Sequence, residues 1–171
     1  MKDSERRFPP LSGSERDVLN GFLDYQRDTL EWKCSGLTEA QMKEPLASHH
    51  SPLTLLGLLR HMTEVEYFWF ENVLLDRNDH FRMYSKEDPE GDFKDLGSCS
   101  AEEVMRRWKE ACDTARRNAA TLPEFDSTAA RNWDDQPVML RWIVAHMIEE
   151  YARHNGHADL LRERIDGETG E

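Results

Sequence analysis

The sequence predicts an all-α protein built as a four-helix bundle. Three observations point there. Apolar residues recur at helical spacing in four long windows. Helix-start chemistry stands at the head of three of them. No segment alternates apolar and polar residues as a half-buried strand does. At 171 residues the chain is expected to form one domain over 1–171, large enough to bury a core, with residues 1–13 as an extended arm. Four amphipathic helices hide their apolar faces by packing on one another.

The arm contains Pro9, Pro10 and Gly13, residues that punctuate helices. Ser14 then has N-cap chemistry, and Asp17 stands where a capping box places its acidic partner. Helix one is predicted over 15–33, with Val18, Phe22, Tyr25, Thr29 and Trp32 as its repeating face and Gly36 as its stop. Residues 37–51 read as a connection. Within it Thr38 and Gln41 have capping-box spacing for one or two turns before Pro45.

Ser51 and Pro52 are expected to open helix two, proline being favoured at the first helical position. That helix is predicted to reach about residue 76, with Leu55, Leu58, Met62, Val65 and Trp69 on its core face. Residues 77–99 are polar and hold Pro89, Gly91 and Gly97; a loop this long is usually functional or mobile. Ser100 and Glu103 make a further capping-box pair. Helix three is predicted to run from there to about 120, with Val104, Trp108, Ala111, Cys112 and Ala115 inward and Pro123 beyond its end. Helix four is the long segment 138–165.

Composition excludes several functions. The formal net charge is −12, which disfavours nucleic acid and anionic membrane surfaces as partners, because both require a basic face. No apolar run reaches the roughly 18 residues of a membrane span, and the opening MKDSERRFPP lacks the apolar core of a secretion signal, so a cytoplasmic location is expected. Cys34, Cys99 and Cys112 are an odd and widely spaced set, read as reduced thiols. No phosphate loop, dinucleotide glycine motif or serine nucleophile elbow is present. Of the five tryptophans, Trp133 precedes helix four and is a candidate pocket wall.

The chemistry concentrates in helix four. At about 100° per residue, Ile143, Met147, Glu150, His154, Ala158, Leu161 and Ile165 share an arc of roughly 80°. A carboxylate and an imidazole thus sit in an apolar stripe, a costly placement unless they are paired or bind a metal. Helix two supplies His61 at the edge of its core face, while Glu64 and Glu66 project elsewhere. If the two helices face each other, His61, Glu150 and His154 form a three-ligand site with an open position for substrate. Such a donor set suits Zn²⁺, the first expectation, and also Ni²⁺, Fe²⁺ or Mn²⁺. His157 and His146 are alternative ligands, and His49, His50 and His80 lie in loops. The competing structural reading makes His61 a satisfied core residue and pairs Glu150 with Arg60 or Arg153.

The segments LLRHMTEVEYFWF around His61 and HMIEEYARHNGHADLLRE around His154 resemble the DinB superfamily over nearly the whole chain, the second segment being the more specific. The resemblance is strongest to an actinobacterial branch that includes mini-circle protein relatives. It implies a DinB/YfiT-like four-helix bundle with a divalent metal near one end, held at the positions of His61, Glu150 and His154. Many members have histidine where this chain has Glu150; the mycothiol-dependent maleylpyruvate isomerases resemble it in having glutamate. The resemblance further implies a thiol S-transferase or isomerase using mycothiol, bacillithiol or glutathione, with the thiol held as a metal-bound thiolate and a small electrophile as second substrate. Arg60 and Arg153, beside the ligands in sequence, are then candidates for contacts to a substrate anion, and the 77–99 loop for a cover. A thiol-independent metal hydrolase or isomerase and a non-catalytic stress or metal-binding protein are the alternatives. Homodimerisation through an exposed helix face is compatible with a bundle.

Overall fold

Five α-helices are seen in the computed structural model, which describes residues 3–46, 52–78, 80, 83, 85, 87, 88 and 90–170. Four are long or central: α1 (Glu15–Lys33), α3 (Leu55–Tyr67), α4 (Ala101–Ala119) and α5 (Leu140–Asp166). The fifth, α2 (Glu39–Met42), is a single turn in the first connection. Among the described residues the only β-pairing is two isolated bridges, Thr128 with Met139 and Trp133 with Gln136. Helix α1 packs on α5, α3 on α4, and α3 also on α5. The core between them is sealed around Leu30, Leu55, Leu59, Met62, Ile143 and Met147.

Local chemistry sets most ends as predicted. Ser14 and Asp17 close a reciprocal capping box on α1, and Thr38 and Gln41 close another on α2. The inward residues expected of α4 are all buried. Ser100 caps α4 by accepting from the Glu103 N–H, but the box stays half made, because the Glu103 carboxylate is taken by Arg106 and Arg107. Helix α5 ends at Gly167, whose φ of +79° is the left-handed turn that glycine adopts without strain.

Two predictions need correction. Helix α3 starts at Leu55 and not at the serine–proline pair; Thr54 is its cap, accepting from the Gly57 N–H at 2.9 Å. Ser51, like His49 and His50, lies outside the described residues. The helix is also not uniform to its end. Residues Phe68–Val73 widen into a π-helical turn, and Trp69 to Val73 are all buried. A wider turn lets more consecutive residues face protein than an α-helix allows. Asn118 of α4 reaches the loosened backbone, donating to the Phe70 carbonyl.

The second correction concerns α1. Its inward face is Leu23, Arg27 and Leu30, about one residue around from the stripe expected, and Phe22 is substantially exposed. The apolar rhythm of Tyr25 and Trp32 is covered from outside by the N-terminal arm. The Arg6 guanidinium lies 4.9 Å and 4.6 Å from those ring centroids, and Phe8 meets Tyr25 edge-on. The described part of the arm is thus docked, beginning in a 3₁₀ turn at Asp3–Glu5. A charged residue inside the true core face disguised it.

Candidate metal centre

Helix α3 carries His61 and α5 carries Glu150 and His154, one helical turn apart, so the crossing of two helices brings three groups together. One ligand atom from each of the three lies within 4.8 Å of the others. The imidazole centroids of His61 and His154 are 4.7 Å apart, and His154 Nε2 is 3.6 Å from Glu150 Oε2. The side chains are 24%, 16% and 12% exposed in the order His61, Glu150, His154. They are neither sealed in the core nor free in water.

Electrostatics keep the site ready to donate lone pairs. Burial, then the proximity of His61, His157 and Arg153, depresses the His154 pKa to about 3. Its imidazole is neutral near pH 7. His61 Nδ1 lies 2.6 Å from Asp92 Oδ2. A carboxylate only accepts, so Nδ1 is the donor in this contact and Nε2 is the nitrogen left for other partners. Two imidazoles and a carboxylate at this spacing fit a divalent cation that prefers nitrogen and oxygen donors.

The other expected residues separate by position. His157 Nδ1 is 3.4 Å from His154 Nδ1, at the edge of the group. His146 stacks on Trp142 and lies on the far side of Glu150, 3.8 Å from Oε1, in a second cluster with Glu149. Arg153 is exposed and pairs with Glu149, with Nη1 3.8 Å from Glu150. Arg60 departs from its expected role. Its buried guanidinium donates to the Lys94 carbonyl and lies 3.4 Å from that of Gly91, with Nε 3.2 Å from Met83 Sδ. Loop backbone occupies it, so it is not a free anion contact. His80 pairs with Glu71 and is not among the three candidate ligands.

Sequence reading missed two features. One is the loop residue Asp92, which no spacing rule ties to His61. The other is a buried ionic network that reaches α5 through Tyr151. Arg27 grips Glu66 through two bonds of 2.7 Å, Tyr151 donates to Glu66 at 2.7 Å, and Trp108 donates to Tyr151 at 3.0 Å. Glu66 was in principle legible, since it continues the buried row Leu55, Leu59, Met62 at helical spacing. Burial, with the nearby Cys112 and Glu66 charges, pushes the Tyr151 hydroxyl well up, so it stays a proton donor.

A groove of about 700 Å³ runs beside the N-terminal end of α5, walled by Leu19, Trp133, Val138, Met139 and Trp142. Trp133 therefore lines a pocket, as anticipated. The stacked Trp142 and His146 rings, 4.9 Å apart, connect this groove with the surface next to Glu150.

The mycothiol S-transferase family model matches residues 18–167. The chain belongs to this family. That places it in the DinB-like superfamily, as the two quoted segments suggested. The match includes all three candidate ligands and both helices that carry them. Among solved structures, the fold is similar to the crystal structure of a conserved protein from Enterococcus faecalis. The TM-score is 0.61 at 15% identity, over 92% of this chain and all of the other. At that identity the likeness establishes the all-α bundle alone. No curated protein sequence matches the chain. No helix among the described residues is long and apolar enough to cross a membrane.

Proposed function

We propose that this protein is a divalent-metal-dependent thiol S-transferase that conjugates mycothiol to a small electrophile, with Zn²⁺ the first candidate metal. The observation that carries the reading is the convergence of His61, Glu150 and His154 within a chain matched by the mycothiol S-transferase family. When bound, a divalent cation lowers the pKa of a thiol and holds the resulting thiolate as nucleophile.

The chain's own residues prepare that chemistry. His61 and His154 offer nitrogen donors, and Glu150 offers a carboxylate that offsets part of a dication's charge. Their partial exposure leaves one side for substrates. The tryptophan-walled groove accommodates apolar parts of the reactants, with Arg141 and Glu15 at its rim. The protein's own buried thiols are unsuited to attack. Burial raises the Cys34 pKa to about 12 and drives Cys112 further up. A nucleophilic sulfur is better supplied by a small-molecule thiol.

The test pairs metal analysis with turnover. Untagged protein should carry about one divalent metal per chain, lost in His61→Ala and His154→Ala. Metal-loaded protein should consume mycothiol in the presence of an alkylating electrophile, and stripped protein should not. Product formation that is equal with and without the thiol would turn the reading toward metal-assisted hydrolysis or isomerisation. Absence of metal after incubation with Zn²⁺, Ni²⁺ and Mn²⁺ would overturn it.

A further inference from the structure

We infer that residues 91–94 form a positioning strap for the His61 imidazole, with Asp92 as the positioning residue that sets its tautomer. Four independent features of the chain converge on this short segment. Gly57, one turn before His61, leaves the space in which the Phe93 ring lies; a Cβ there would stand 2.6 Å from Phe93 Cδ1. Phe93 stacks on His61 with centroids 5.5 Å apart and planes 27° apart. Asp92 accepts from His61 Nδ1 at 2.6 Å. Arg60 ties the strap down by donating to the Lys94 carbonyl. Three positions of one helix, 57, 60 and 61, thus address three successive loop residues.

The energetics of Asp92 support a positioning role over a merely structural one. Its side chain is only 3% exposed, yet among the described residues Oδ1 has no hydrogen-bond partner. A half-satisfied buried carboxylate costs stability, and an apolar residue would pack there more cheaply. Its one strong bond is to His61. A carboxylate behind an imidazole fixes the ring's orientation and favours the tautomer whose proton is on Nδ1. Phe93 blocks one face of the ring, so rotation is hindered from both sides. The strap's effect on ligand affinity rests on the metal reading above; its effect on the tautomer does not.

The experiment reads the two separately. Long-range ¹H–¹⁵N spectra of metal-free, ¹⁵N-labelled protein at pH 8, with His61 assigned by a His61→Gln variant, should show the Nδ1–H tautomer in the wild type. Asp92→Ala should shift His61 toward Nε2–H. Asp92→Asn should largely retain the wild-type tautomer, because its amide oxygen still accepts. Gly57→Ala, which leaves Asp92 intact but displaces Phe93, should lose it. Co²⁺ titration should then show affinity falling about 10–100-fold in Asp92→Ala, the range for second-sphere partners of metal-bound histidine. A wild-type His61 already in the Nε2–H form, or a tautomer unchanged in both Asp92→Ala and Gly57→Ala, overturns the strap even if metal binds. A locked tautomer in a protein that binds no Co²⁺ upholds the strap and overturns the metal reading instead.

Discussion

Helix α5 contributes to two polar clusters that differ in what they leave unused. On one side Tyr151 joins Arg27, Glu66 and Trp108 in a closed network, fully buried, with each charge met by an opposite charge or a donor. On the other, Glu150 and His154 meet His61 at a spacing too long for direct hydrogen bonds between them, and the His154 ring is held neutral. The first cluster spends its hydrogen-bonding capacity on the protein itself. The second keeps lone pairs in reserve. Adjacent residues on one helix thus differ in whether their polar atoms are satisfied internally, which separates a structural cluster from a candidate ligand site.

The largest effect should come from breaking the closed side. Glu66→Ala leaves the buried Arg27 with only the more distant Asp24, 3.2 Å away, and takes the acceptor from Tyr151, so urea denaturation should register a loss of about 3–5 kcal/mol. Tyr151→Phe, which removes one donor to Glu66, should lose about 1–3 kcal/mol. A loss under 0.5 kcal/mol for Glu66→Ala would show that water reaches Arg27 and that the network is not closed.

The open side should respond to metal and not to truncation alone. Thermal unfolding of metal-free Glu150→Ala should stay close to that of the metal-free wild type, because Glu150 makes no contact shorter than 3.6 Å with its charged neighbours. Adding Zn²⁺ at 100 times its dissociation constant should stabilise the wild type by about 2.7 kcal/mol and leave the variant unmoved. Equal stabilisation of both proteins would locate cation binding elsewhere, with His146 and Glu149 the next residues to replace.

Acid separates the two sides further. The folded-state pKa of His154 is depressed from 6.5 to about 3, so the unfolded chain binds a proton that the folded chain refuses across this interval. The resulting stability is present above pH 6.5 and is lost as pH falls toward 3. Metal-free wild type should therefore weaken on acidification through this window more than His154→Gln does. Parallel pH profiles for the two would assign the acid sensitivity to other groups.

The smallest effect is on thiol access. With Cys34 and Cys112 buried and their pKa values raised, Ellman's reagent at pH 8 should label the partly exposed Cys99 first and the other two only on unfolding. Above pH 9 the same raised pKa values favour the unfolded state, whose thiols ionise first, and stability should decline toward pH 12. Rapid native labelling of Cys112 would mean that the packing around the closed network opens readily.

Legibility varied with the kind of interaction. Helix ends set by local chemistry, such as the Ser14–Asp17 and Thr38–Gln41 boxes, could be read directly, because their partners are three residues apart. The face of α1 was misread, because Arg27 interrupts its apolar row while Tyr25 and Trp32 supply a rival row that the arm covers. The candidate ligand group was recognisable as polar residues in an apolar stripe plus a histidine on a second helix. Asp92 was not, since its only relation to His61 is across a loop.

The sequence by itself determined the helical class, the capped starts of α1, α2 and α4, and the placement of Glu150 and His154 on one face of α5. These follow from the 3.6-residue period and from bonds within a single turn. Tertiary structure alone decided that His61 meets them, that Glu66 is paired with Arg27, and that residues 91–94 dock behind His61. Each of these joins groups more than thirty residues apart or on separate elements, where the packing of whole helices sets the distance and no local pattern encodes it.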